Sequence, residues 1–276
     1  MAISAERSHC EQLVRSQAPD RYLATLFAPA AAREALFALY AFDHEIGKVR
    51  HVVSEPMAGL IRLQWWRDVL AAARPPVHPV AEAIHEALAS APSVRARLEA
   101  AIEARERELE ALAPADLAAL EQHLAATSGG ITLAALELLS ATGADEAATR
   151  VGLVVGLRDV LRRLPEDLVR GRALLPGAEL VRHEVEPATV AEAGIRLDPV
   201  IHGLAARGVR HLAEARAERG AVPRAALPAL LPGTLAGAWL ERLGRARHDL
   251  LARIPRQRRS PLAPLTLLWR HAAGRF

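Results

Sequence analysis

An all-α fold is predicted by three features of this sequence: apolar residues recur at helical spacing almost throughout, the breaks in that pattern fall at proline and glycine, and strand-like alternation is nearly absent. The spacing predicts eleven helices. The first two, over 5–17 and 19–27, are parted at Pro19, and a third over 30–53 follows Pro29. The second half of this third helix, "AFDHEIGKVRHVV", sets a dense mixture of charges between apolar neighbours. Helices over 56–73 and 79–90 open at Pro56 and Pro79. Over 93–112, "SVRARLEAAIEARERELEAL" places Arg95 four residues before Glu99 and Glu103 four before Arg107, so its charges read as a solvated face stabilised by a few tenths of a kcal/mol per pair.

The helices over 115–141 and 145–170 differ, because "GITLAALELLSATG" and "VGLVVGL" are apolar over most of their circumference and belong at the centre of a bundle. Gly152 and Gly156 lie one turn apart and admit close approach of a neighbouring backbone; no glycine-rich loop follows a strand, so a phosphate loop is not expected. Residues 177–199 read as a long connection with one short helix, after which helices over 198–219, 224–253 and 261–273 complete the chain. No boundary stands out. The expectation is a single domain over 1–276, with an N-terminal segment, 1–18, before a core over about 19–273.

Composition narrows the function. Hydrophobic residues make up 51%, enough for a sizeable core, and 35 basic against 32 acidic residues, a net charge of +3, is too mild a balance to argue for nucleic acid. Lys48 is the only lysine, and Cys10, the only cysteine, has no internal disulfide partner. The opening "MAISAERSHC" lacks the apolar stretch of a signal peptide, and no uncharged apolar run reaches the roughly 18 residues of a membrane span. A soluble, cytoplasmic protein is expected. "HEIG" followed by Lys48 lacks the second histidine of a zinc-protease helix, so no zinc site is expected either.

Several other residues have a structural and a functional reading. Adjacent Trp65 and Trp66 are about 100° apart on a helix, so at most one faces a given pocket, and core packing is expected of both. Of the two tyrosines, Tyr22 and Tyr40, the second stands seven residues before Gly47 and is a candidate to line a cavity. "RIPRQRRS", 253–260, is a basic, Pro-bounded stretch: a solvated linker, or a weak attraction to an anionic membrane surface.

Three stretches, "PDRYLATLFAPAAAREALFALYAF", "GLIRLQWWRDVL" followed by "HPVAEAI", and "GLRDVLRRLPEDLVRGRALLP", resemble the squalene/phytoene synthase superfamily in order and spacing. The last is the most specific, since the family's second signature ends in Gly-Arg, two residues, then Leu-Pro, here Gly171, Arg172, Leu175 and Pro176. The resemblance covers about 19–273 and implies the isoprenoid-synthase fold, a helical bundle around a deep central cavity. In the active enzymes two aspartate-rich helices face each other there and bind magnesium, which holds and activates a prenyl diphosphate. Hard cations take oxygen ligands, and carboxylates one helical turn apart point the same way.

Carried onto this sequence, the resemblance puts the first aspartate at Gly47, its i+4 partner at His51, and Lys48 where a further aspartate often stands; Asp43 and Glu45 do not restore the pair. The second pattern falls on Asp159, Arg163 and Asp167, whose successive i+4 steps suit a salt-bridge ladder needing no metal. Alternatively, Lys48, Arg163 and Arg172 bind an anionic phosphate directly.

One branch of the superfamily, the mitochondrial complex I assembly factors, carries similar losses together with an "ALxAFxxE" helix, a "VSE" turn, an "RxQxW" helix and an "LRxxP". Here these are the helix from Ala38, then Val53 to Glu55, Arg62 to Trp66, and Leu161 to Pro165. Low lysine, abundant Ala and Arg and no asparagine point to a high-GC bacterial relative of those factors.

The resemblance therefore implies a non-catalytic assembly or scaffold protein with no cofactor, whose partners are a respiratory-complex subunit or assembly protein and an isoprenoid or lipid ligand. It would be cytoplasmic, with peripheral contact at the inner face of the membrane. The alternative is an active prenyl-diphosphate transferase using magnesium on Asp43, Asp159, Glu166 and Asp167.

Overall fold

The computed structural model describes residues 5–110, 113–246, 248–254 and 260–276, and among these every regular element is helical. The α-helices are α1 (Ala5–Gln17), α2 (Pro19–Thr25), α3 (Ala30–Gly47), α4 (Val49–Val52), α5 (Pro56–Ala71), α6 (Pro79–Ser90), α7 (Val94–Arg107), α8 (Leu117–Leu124), α9 (Gly130–Leu138), α10 (Asp145–Val169), α11 (Gly177–Arg182), α12 (Asp198–Ala217), α13 (Leu227–Gly244), α14 (Leu250–Arg253) and α15 (Ala263–Ala272).

The longest predicted helices are interrupted, each for a local reason. The stretch over 30–53 breaks after Gly47, the residue least favourable to a helix interior in that segment. The stretch over 115–141 passes through a π-helical turn, Ala125–Gly129, where hydroxyls turn back on the backbone: Thr127 Oγ1 donates to His123 O at 2.9 Å and Thr132 Oγ1 to Ser128 O at 2.8 Å. Between α13 and α14 the chain reverses through Asp249, at a φ of 55°, and Asp198 at the start of α12 accepts from the amides of Asp249 and Leu250 at 2.8 and 2.9 Å. Helix α7 ends at Arg107 in a 3-10 turn, Glu108–Glu110, with 111–112 outside the described residues.

Helix α10 is the spine. Its 25 residues are buried along most of their length, and it packs on α9, α12, α13 and the π turn. The expected close approach at Gly152 is present: a Cβ there would stand 2.4 Å from Gly129 Cα, so only glycine fits. Gly156 lies against the Leu124 side chain and Ser128 Oγ. The helix stops at Gly171, whose φ of 64° lets its amide reach Leu168 O at 3.1 Å and the next amide, of Arg172, reach Asp167 O at 2.8 Å. This reversal explains the Gly-Arg signature. It swings the Arg172 guanidinium onto the carbonyls of Arg50 and, at 3.3 Å, Val53, tying the end of α10 to α4; Leu175 is then buried and Pro176 leads into α11.

Helix α3 packs on α1, α6 and α9 and buries Phe42, with Trp66 of α5 edge-on to it at 5.3 Å. Core packing therefore holds for Trp66. Trp65 is 38% exposed, because its neighbour occupies the inward direction, and lies beside His78 over a shallow depression of about 170 Å³.

Candidate functional site

Helices α3 and α10 face each other across a cavity of about 550 Å³. Tyr40, Asp43, Gly47, Lys48 and His51 enter it from the first side, and Asp159, Arg163, Glu166 and Asp167 from the second. The two segments singled out by sequence thus meet. Arg172 is the exception: it is absent from the lining, and its guanidinium is spent on backbone carbonyls.

Inside, Asp43, Glu108 and Asp159 are each met by one or more arginines. Asp43 is buried; its Oδ2 pairs with Arg21 of α2 and its Oδ1 lies 3.7 Å from Arg105 of α7. Burial alone would raise the Asp43 pKa, but Arg21 and Arg105 outweigh it and hold the group below the ordinary carboxylate range. Arg105 Nη1 also reaches Glu108 at 2.6 Å, and His123 Nε2 approaches the same carboxylate at 2.8 Å, with Arg50 at 3.6 Å. Burial is again opposed, and Arg105, His123 and Arg50 keep Glu108 well below its usual pKa. On α10, Arg158 bridges Asp20 at 2.6 Å and Asp159 at 2.7 Å. Tyr40 lies under the Arg21 guanidinium, 4.9 Å from ring centroid to Cζ, and burial pushes its hydroxyl up to about 12.

The predicted ladder of Asp159, Arg163 and Asp167 does not form. Asp159 turns to Arg158, while Arg163 is exposed at the mouth and makes no ion pair among the described residues. Asp167 is buried with its Oδ1 3.5 Å from His51 Nδ1. This contact joins a neutral imidazole to a carboxyl group: burial, then Arg163 and Arg50, push His51 down to about 3, and burial raises Asp167. Lys48 is tethered to Glu45 at 2.5 Å.

Magnesium does not fit this donor set. Asp43, Glu108 and Asp159 each face one or more guanidinium groups, and among the described residues no cluster of three or more His, Cys, Asp or Glu is arranged to hold an ion. A divalent cation about 4 Å from a guanidinium costs roughly 8 kcal/mol at an effective dielectric near 20, twice the unit-charge value.

Sequence reasoning missed Arg21, Arg50, Arg105, Glu108, His123 and Arg158. It read the charges of 93–112 as a solvated face; that holds for Glu103 and Arg107, 2.9 Å apart and exposed, and fails for Arg105 and Glu108. The missed signal is positional: Arg105 stands seven residues after Leu98 and four after Ala101, on the stripe that α7 buries. A charge on such a stripe must find a partner inside.

A family model described as squalene/phytoene synthase matches residues 14–265. The chain belongs to the squalene/phytoene synthase family. Among solved structures of that fold, a dehydrosqualene synthase in complex with ligand superposes with a TM-score of 0.81 at 19% identity, covering 97% of this chain and 95% of that one. Squalene synthase HpnC from Alicyclobacillus acidocaldarius gives 0.69 at 18%, over 91% and 94%. In sequence the chain is also similar, over most of its length, to proteins named for another role. NADH dehydrogenase (ubiquinone) complex I, assembly factor 6, is 29% identical in Bos taurus over 97% of this chain and 82% of that protein, and 29% identical in Homo sapiens over 94% and 80%.

Proposed function

We propose that this protein is a non-catalytic member of its family that acts as an assembly or scaffold factor of the respiratory complex I type. It would work in the cytoplasm, with peripheral contact at the inner face of the membrane. The observation that carries the reading is the cavity's charge pairing: Arg21 and Arg105 stand against Asp43, Arg105 against Glu108, and Arg158 against Asp159, while Gly47 and His51 stand where the family resemblance expects metal-binding aspartates. The relatives named complex I assembly factor 6, similar over nearly the whole chain, support the assembly role. A cavity with these charges still suits an anionic headgroup, of an isoprenoid or another lipid, held at its mouth by Lys48 and Arg163 without metal.

The test has two arms. Purified protein incubated with farnesyl or geranylgeranyl diphosphate, magnesium or manganese, and a reductant is expected to give no condensed product; product formed at an enzyme-like rate and lost in Asp159→Ala or Asp167→Ala would establish the prenyl-transferase alternative. Deleting the gene in its host is expected to lower assembled complex I, and Asp159→Ala is expected to restore it. Unchanged complex I in the deletion strain would remove the assembly role.

A further inference from the structure

Helix α15 is apolar on two opposite faces. One packs inward through Ala263 and Leu267 against α13 and α2. The other presents Leu262, Leu265, Leu268 and Trp269 to solvent, each 55–61% exposed. At 100° per residue Leu265, Leu268 and Trp269 fall within a sector of about 100°, with Leu265 nearly opposite the packed stripe and Leu262 exposed just before the helix. An exposed face of large apolar side chains is a docking surface in want of an occupant.

Charge identifies that occupant. From Leu250 to Phe276 the sequence contains no Asp or Glu and six arginines: Arg253, Arg256, Arg258, Arg259, Arg270 and Arg275. Arg256, Arg258 and Arg259 lie outside the described residues and count here as sequence alone. Arg270 stands beside the exposed face, its Cζ 5.5 Å from the Trp269 ring centroid. A protein partner recognised through this face would have to be both apolar and acidic, whereas an anionic bilayer offers both properties over an unlimited area. Ten residues span about 15 Å, too short to cross a bilayer and long enough to lie in its interface, and among the described residues no helix is long and apolar enough to cross a membrane.

We propose that α15 docks the protein on anionic membrane, with Leu262, Leu265, Leu268 and Trp269 inserted among the headgroups and Arg270 and Arg275 on acidic lipid phosphates. The inference deepens the peripheral contact included in the functional reading and rests on that part of it; the pairing of the cavity carboxylates plays no role. Exposed aromatic and aliphatic side chains supply apolar insertion, and the arginines supply attraction that salt screens.

Vesicle co-sedimentation of the full chain tests this separately from complex I assembly. Binding to vesicles of phosphatidylcholine mixed with phosphatidylglycerol is expected, with little to pure phosphatidylcholine and weakening as salt rises. The triple variant Leu265→Ser, Leu268→Ser, Trp269→Ser is expected to bind about tenfold more weakly or worse, since it withdraws the apolar surface that inserts. Arg270→Glu with Arg275→Glu leaves the apolar face in place and is expected to weaken binding to the anionic vesicles alone. Met57→Ser with Ile61→Ser, changing equally exposed residues on α5, is expected to bind as the unmodified protein does. Equal binding to both vesicle types, equal loss in the α5 variant, or a triple variant that binds normally would overturn the proposal. So would a shift from dimer to monomer caused by the triple variant without lipid, which would make this face an interface between two copies of the chain.

Discussion

The Arg105 guanidinium occupies the space in front of Gly47: a Cβ on Gly47 would stand 3.6 Å from Arg105 Nη2, an ordinary van der Waals contact. Gly47 is the position where the family resemblance expects the first metal-binding aspartate. The loss of the carboxylate and the arrival of a cation thus concern one volume, filled from α7. Gly47 has an unremarkable backbone at the end of α3, so Gly47→Ala is expected to stabilise the fold by about 0.5–1 kcal/mol, as reduced freedom of the unfolded chain dictates. Denaturant midpoints read this directly. Gly47→Asp is expected to pair with Arg105, leaving the thermal midpoint insensitive to magnesium.

Arg105 holds two buried carboxylates, Asp43 and Glu108. Arg105→Met removes the cation and leaves both acids in the interior, with Arg21 still on Asp43 and His123 and Arg50 still near Glu108. Breaking a buried pair from one side costs about 3–5 kcal/mol. Equilibrium unfolding of this variant is expected to fall in that range, and adding Glu108→Gln is expected to recover part of the loss, because one stranded charge is gone. A single substitution with no measurable effect would show that the network contributes no stability.

Two glycine-to-alanine changes are expected to have opposite signs. At Gly152 the new Cβ would meet backbone, Gly129 Cα at 2.4 Å and Gly129 N at 2.7 Å, so α10 and the π turn must separate. The cost is expected to be about 2 kcal/mol or more, as overpacking of a close helix contact implies. At Gly203, on the exposed side of α12, nothing lies within 4 Å, and Gly203→Ala is expected to gain about 0.5–1 kcal/mol. Thermal melts of the two variants side by side check the contrast.

Acid stability depends on histidines held below their ordinary pKa by burial: His51 most of all, with His44, His78 and His271 acting in the same direction. The folded pKa of His51, about 3, lies below the ordinary 6.5, so between these values the unfolded chain binds a proton that the folded protein refuses. Stability from this residue is therefore lost as pH falls from 6.5 towards 3, at about 1.4 kcal/mol per pH unit at most. Glu108, depressed by its cations, adds a further loss of the same sign below its ordinary 4.5. Asp167 has a raised pKa and opposes both, since the folded state accepts its proton more readily than the unfolded chain. Chemical denaturation at a series of pH values is expected to show a declining stability from pH 6.5 to 4.5, with His51→Gln flattening the slope. A slope equal to that of the unmodified protein would mean that His51 contributes nothing to the decline, which would then rest on His44, His78 and His271.

Much of the site was legible without coordinates. Tyr40, Asp43 and Gly47 lie on α3, Lys48 follows at its junction with α4 and His51 lies on α4, and Asp159, Arg163, Glu166 and Asp167 lie on α10; all of them line the cavity, as the family resemblance implied. Arg172 was misread because a basic residue in a signature looks alike whether it binds a ligand or caps a backbone; only the αL turn at Gly171 aims it at the carbonyls of Arg50 and Val53. The ladder on α10 was misread for a related reason. Helical spacing brings Asp159 and Arg163 near each other, but adjacent Arg158 turns inward, is buried, and takes Asp159 together with Asp20 from α2.

The sequence by itself determined the helical class, the placement of most breaks, the central position of α10 and the loss of the family's metal ligands, because each follows from local periodicity, backbone preference or the identity of a residue at a motif position. The tertiary structure decided which cations meet the carboxylates. Arg21, Arg105 and Arg158 come from three different helices, and their charges converge on the carboxylates only when α2, α7 and α10 pack around one cavity. Burial makes the pairing costly to break for Asp43 and Glu108, since removing one partner strands a charge in the interior.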